Sequence, residues 1–82
     1  MAEVTFTRRA TRDLDRLDPA VRRRILMKIR ELAGDPLAGA KKLTDPRIGT
    51  FRWRIGDYRA IFDVERETVV VLRVGDRKDI YS

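Results

Sequence analysis

The sequence predicts an α+β fold: a short N-terminal strand, a two-helix hairpin, then a three-stranded antiparallel meander, with the helices packed on one sheet face. Three observations carry this. From Thr50 to Ile55 the residues alternate, Phe51, Trp53 and Ile55 one way, Thr50, Arg52 and Arg54 the other, which is the period of a half-buried strand. Gly56-Asp57 follows at once, a two-residue turn of the Gly-first type that suits tight hairpins. Upstream, Val21, Ile25, Ile29 and Leu32 recur at i, i+4, i+8 and i+11, the apolar stripe of a helix.

Taken in order, Glu3 to Thr7 alternates weakly and is β-prone, so a short strand is expected with Val4 and Phe6 toward the core. Thr7 is a suitable N-cap for a helix from about Arg8 to Leu17, whose apolar stripe is Ala10, Leu14 and Leu17. Arg8, Arg9, Arg12 and Arg16, with Asp13 and Asp15, form its wet side. Asp18-Pro19 opens the second helix: an acid at the N-cap, then proline where its missing N–H is harmless. Arg22, Arg23, Arg24 and Lys28 surround its polar side. Gly34 is expected to end that helix as a C-cap. Asp35-Pro36 and Asp45-Pro46 bracket a loop from Leu37 to Ile48 that carries Lys41 and Lys42, with Leu37, Leu43 and Ile48 pinning it to the core. Where the first strand joins the sheet does not follow from the sequence, because the helices intervene.

The Gly56-Asp57 turn fixes a register: Ile55 with Tyr58, Arg54 with Arg59, Trp53 with Ala60, Arg52 with Ile61. One face is then Phe51, Trp53, Ile55, Tyr58, Ala60 and Phe62; the other gathers Arg52, Arg54 and Arg59. Like charges directly opposite on neighbouring strands repel, so stability alone does not select the Arg54–Arg59 pairing. Three such arginines are either ordinary solvated surface or a face that receives an anion such as a phosphate chain. The turn around Glu65-Arg66-Glu67 decides where Arg73 goes. A two-residue loop puts Val69, Val71 and Arg73 on the apolar face. A three-residue loop puts Val70, Leu72 and Val74 there and Arg73 opposite Arg59. Burying an unpaired guanidinium is expensive, so the three-residue loop is expected.

The chain of 82 residues makes one domain, and its 43% hydrophobic content excludes disorder. A formal net charge of +6 points to nucleic acid or an acidic protein as partner. With no cysteine and no histidine, disulfides, thiolate chemistry and the commonest metal ligand and general base are excluded, and no cofactor is expected. The longest apolar run is Val69 to Leu72, too short to span a bilayer, so a cytoplasmic protein is expected.

Two segments, R-W-R-I-G-D-Y-R-A-I-F from Arg52 and V-L-R-V-G-x-R-x-x-I-Y ending at Tyr81, resemble the carboxy-terminal half of the RelE/ParE superfamily of bacterial toxins, and the order of elements matches over essentially the whole chain. The resemblance implies a toxin of a type II toxin–antitoxin system. In its RelE branch it implies an endoribonuclease that cuts messenger RNA in the ribosomal A site, with the 2′-hydroxyl attacking the adjacent phosphate to leave a 2′,3′-cyclic phosphate. It implies catalytic roles for Arg54, Arg59, Arg77 and Tyr81, and a substrate contact from Arg52, with Asp76 beside them. From the residues alone, Arg73 joins the basic face through the three-residue loop. Lys41 or Lys42, with Lys42 the expected contact, reaches that face from the loop that leads into the arginine strand, although such lysines are more often merely exposed. Arg52 and Arg54 stand at sites that are often lysine, and Asp76 stands where many relatives carry histidine. Arginine stays protonated below a pKa of about 12, so it is a poor base; Asp76 either takes that role or pairs with Arg77 and holds it. The implied partners are a cognate antitoxin with an acidic binding segment, the ribosome and messenger RNA. The ParE branch, whose members poison DNA gyrase, is the alternative, as is a catalytically weak member that acts chiefly through its antitoxin.

Overall fold

A computed structural model describes residues 3–45 and 47–80; Pro46 and Tyr81 lie outside the described residues. The elements are β1 (Glu3–Phe6), α1 (Arg8–Asp15), α2 (Pro19–Leu32), β2 (Ala40–Lys42), β3 (Phe51–Ile55), β4 (Tyr58–Glu65) and β5 (Thr68–Asp76). They form one five-stranded sheet in the order β1-β5-β4-β3-β2. β1 lies parallel to β5; every other pairing is antiparallel.

Both helices begin where the side chains dictate. Thr7 Oγ1 accepts the Ala10 N–H at 3.1 Å and donates to the Leu72 carbonyl at 2.9 Å, so one hydroxyl caps α1 and ties it to β5. Asp18 accepts the Ala20 N–H at 2.9 Å, and Pro19 is the first residue of α2. The end of α2 differs from expectation. Ala33 is the C-cap in right-handed geometry, and Gly34 donates to Glu31 O at 3.2 Å without the positive φ of a glycine cap. The last turn tightens instead of reversing hand.

The core lies between the helices and one sheet face. Ala10 and Leu14 of α1 and Ile25, Ile29 and Ala33 beyond them meet Trp53, Ile55, Ala60, Phe62, Val69, Val71 and Val74. Trp53 stacks on Phe62 with centroids 3.9 Å apart, and its indole N–H donates to the Pro36 carbonyl at 3.0 Å. The loop after α2 is thereby tied to the core by Trp53, and not by Leu37, which is exposed. The register of β3 on β4 is the one that the Gly56-Asp57 turn dictates, and Gly56 takes φ 61° there, as a Gly-first turn requires.

The next turn corrects the expected loop. Glu65 pairs with Thr68, so the connection is the two residues Arg66-Glu67, with Arg66 left-handed at φ 58°. Val69 and Val71 therefore face the core. Arg73 still avoids it because the ladder slips once: Phe62 pairs with Val71 and Ile61 with Arg73, leaving Leu72 as an extra residue. A β-bulge inverts the alternation beyond it, so Val74 returns to the core face and Arg73 sits opposite Ile61 instead of Arg59. Arg73 is kept off the core face by a bulge and not by loop length.

The segment expected as loop also contains a strand, β2, which extends the sheet beyond β3. The tip of the β2–β3 connection then folds onto the outer sheet face. A Cβ at Gly49, whose φ is +153°, would run into Ile61 Cγ2 and lie 3.0 Å from Leu72 Cδ1. Only glycine admits this approach. Asp45 and Arg47 clasp that tip at 3.1 Å; the Arg47 side chain, and then its backbone N–H, hold the Asp45 carboxyl below its ordinary range.

Candidate nucleic-acid interface

β3 and β4 carry the arginines that face away from the helices. Arg54 is exposed and directly opposite Arg59, whose own partner on β5 is Gly75. These three positions form one row across the end of the sheet. Beyond Gly75 the chain turns over: the Asp76 carbonyl accepts the N–H groups of Asp79 and Ile80, each at 3.0 Å. The Arg77 N–H donates to the Asp57 carbonyl at 3.0 Å, which docks this turn against the tip of the β3–β4 hairpin. Exposed Arg77 and exposed Arg54, far apart in sequence, therefore share one end of the sheet.

Arg59 departs from the expected phosphate clamp. It is only 7% exposed, and its Nη1 donates to the carbonyls of Gly56 at 3.1 Å and Tyr58 at 2.9 Å. A buried guanidinium must direct its N–H groups to acceptors; here they hold the turn that presents Arg54 and Arg77. Arg73 is likewise committed. Its Nε donates to Asp13 Oδ2 at 3.1 Å, and the same oxygen accepts the Val74 N–H at 3.0 Å, so α1 is bound to β5 beyond the reach of β1. Asp76 Oδ1 accepts the Lys78 N–H at 2.9 Å. It stabilises its own turn, and among the described residues it forms no ion pair with Arg77.

The two lysines separate by register. Lys41 pairs with Arg52 and Lys42 with Phe51. Directly opposed residues share a face, so Lys42, expected to touch substrate, lies on the Phe51 side, and Lys41 joins Arg52 on the outer face. No local pattern revealed this, because two adjacent lysines exchange faces with a one-residue slip. Tyr81 lies outside the described residues. No group of His, Cys, Asp or Glu suited to a metal ion occurs among the described residues, and no helix among them is long and apolar enough to cross a membrane.

This arrangement presents fixed positive charge at one sheet end, with donors suited to phosphate oxygens. The family model of the ParE toxin of type II toxin–antitoxin systems, parDE, matches residues 4–81, and the chain belongs to this RelE/ParE superfamily as a type II toxin. It is 41% identical over 81 residues to Toxin RelG of Mycobacterium tuberculosis, covering 95% of this chain and 93% of the relative. The crystal structure of the RelBE2 toxin–antitoxin complex from Mycobacterium tuberculosis superposes with a TM-score of 0.84 at 35% identity, covering 93% of this chain and 98% of that one. The isolated RelE toxin of E. coli shares the fold, with a TM-score of 0.75 at 24% identity over 99% of this chain and 92% of that one.

Proposed function

We propose that this toxin is a ribosome-dependent endoribonuclease that halts translation by cutting messenger RNA. The observation that carries the reading is the docking of the Arg77 turn against the β3–β4 hairpin, which sets Arg77 beside the row that holds Arg54. In the proposed step the 2′-hydroxyl oxygen attacks the adjacent phosphorus. The P–O5′ bond breaks, giving a 2′,3′-cyclic phosphate and a free 5′-hydroxyl. Charge grows on the non-bridging oxygens, where pre-positioned arginines are most effective. Arg54 and Arg77 take this role, Arg52 and Lys41 hold the flanking backbone, and Arg59 supports the turn from beneath.

Proton movement needs other groups, since arginine keeps its proton and the chain has no histidine. Asp76 and Tyr81 are the candidates. In the cell the basic surface is expected to be covered by the acidic segment of a cognate antitoxin; a related toxin was solved as a toxin–antitoxin complex. The match to the ParE toxin model favours a second reading, inhibition of DNA gyrase.

Primer extension on a reporter messenger in a reconstituted translation system, with and without ribosomes, tests the proposal. Cuts within A-site codons that require ribosomes are expected, and Arg77→Ala and Tyr81→Ala should each abolish growth arrest. Intact messenger together with inhibited DNA supercoiling would replace this reading with the second one.

A further inference from the structure

The strongest basic feature outside the sheet end is a cleft between α1 and β5, lined by Arg8, Arg9, Arg12, Asp13, Arg16 and Arg73. Arg8, Arg12 and Arg16 recur every four residues and so form one ridge. All three, and Arg9, are exposed, and none of the four makes an ion pair among the described residues. Arg73, by contrast, is engaged through Asp13.

Helix stability accounts for Arg12 in the last turn and Arg16 at the C-cap, which complement the dipole, but not for the N-terminal part of this ridge. Like charges four residues apart destabilise a helix by about 0.2–0.5 kcal/mol each. The first turn of α1 carries Arg8 and Arg9 and no acid, where the helix dipole favours negative charge. Arg9 and Arg73 also border a second depression that passes over Ile48, Leu72 and Ile80. That depression, with its apolar floor, is distinct from the α1 cleft.

The lining chemistry selects the occupant. A protein interface centres on apolar or aromatic anchors with charge at its rim. That description fits the exposed Leu26 and Met27 of α2, ringed by Arg22, Arg23 and Arg30. The α1 cleft has arginines and one engaged carboxylate at its centre, and no apolar side chain. Polar, strongly positive surfaces of that kind fit a phosphodiester backbone.

We propose that the α1–β5 cleft is a second RNA site, which binds phosphates through Arg8, Arg12 and Arg16 away from the scissile position. The assignment rests on the nuclease reading for its choice of ligand, so binding and cleavage are measured separately. The probe is a short single-stranded 2′-O-methyl RNA, which lacks the attacking hydroxyl, titrated against the full chain over a range of salt. The triple variant Arg8→Gln, Arg12→Gln, Arg16→Gln is expected to weaken binding at least about tenfold. It should lower the slope of log affinity against log salt by about 2, since each phosphate no longer neutralised lowers it by about 0.7. A control with the same reduction in charge on α2, Arg22→Gln, Arg23→Gln, Arg30→Gln, should change the slope by less than about 1. Thermal unfolding confirms that both variants fold.

Equal weakening in both variants would assign binding to net charge and overturn the proposal. Polyglutamate binding to wild type more tightly than the RNA at equal charge concentration, and losing that binding in the α1 variant, would give the cleft to an acidic protein segment and also overturn it. If wild type cuts no messenger on ribosomes but the α1 variant alone fails to bind RNA, the nuclease reading falls and the cleft assignment stands.

Discussion

The two faces of the sheet are built on opposite terms. The helix-covered face is one continuous apolar layer in which Trp53, Phe62, Val69 and Val71 are fully buried. The outer face is basic at its edges and apolar only in a strip, where Ile61 and Ile80 are buried and Ile48 and Leu72 half-buried. The β2–β3 tip, through Gly49, lies on that strip. The first face supplies the burial that drives folding; the second keeps like charges together and has to be braced by backbone hydrogen bonds.

Four perturbations sharpen this contrast. Trp53→Ala should cost about 3–5 kcal/mol in denaturant unfolding, because it removes a fully buried ring from a stacked pair. A change below about 1 kcal/mol would mean that the core is more plastic than its packing indicates. On the outer face, Gly49→Ala should cost about 1–3 kcal/mol, because the new Cβ meets Ile61. In an Ile61→Ala background the same substitution should cost less, by at least about 0.5 kcal/mol; strict additivity would rule out that clash as the cause.

Asp13→Ala severs the link between α1 and β5. It leaves the Val74 N–H and Arg73 Nε without their acceptor, an expected destabilisation of about 1–3 kcal/mol. Amide exchange at Val74 should quicken accordingly, and an unchanged rate would show that the link is dispensable. The smallest effect on stability is expected for Arg54→Gln, which relieves the repulsion with Arg59. Unfolding should be unchanged or gain up to about 1 kcal/mol, while the growth arrest expected of the nuclease disappears. A destabilised variant would make Arg54 structural and would blur the division between the faces.

The hairpin from Phe51 to Phe62 was legible in the sequence, and so was the division of its residues between the faces. The reason is local: a Gly-first turn fixes register, and alternation then assigns every side chain. The helix starts at Thr7 and Asp18 were legible for the same reason, because a cap acts within three residues. The family itself could be read from the two segments that end at Phe62 and Tyr81. The candidate site was legible only in part: Arg52 and Arg54 lie on the outer face as alternation required, whereas Arg59 and Arg73 proved committed to internal acceptors, and Lys41 replaced Lys42 beside Arg52.

Tertiary structure decided the rest. The parallel placement of β1 on β5, the pairing of β2, the bulge at Leu72 and the Asp13–Arg73 link all join residues distant in sequence. Many such closures carry similar entropy costs, since that cost grows only slowly with loop length, and no local side-chain pattern distinguishes among them. Packing does. The observed arrangement buries Val69, Val71 and Val74 together against the helices while leaving Arg73 an acceptor and Gly49 the room it needs.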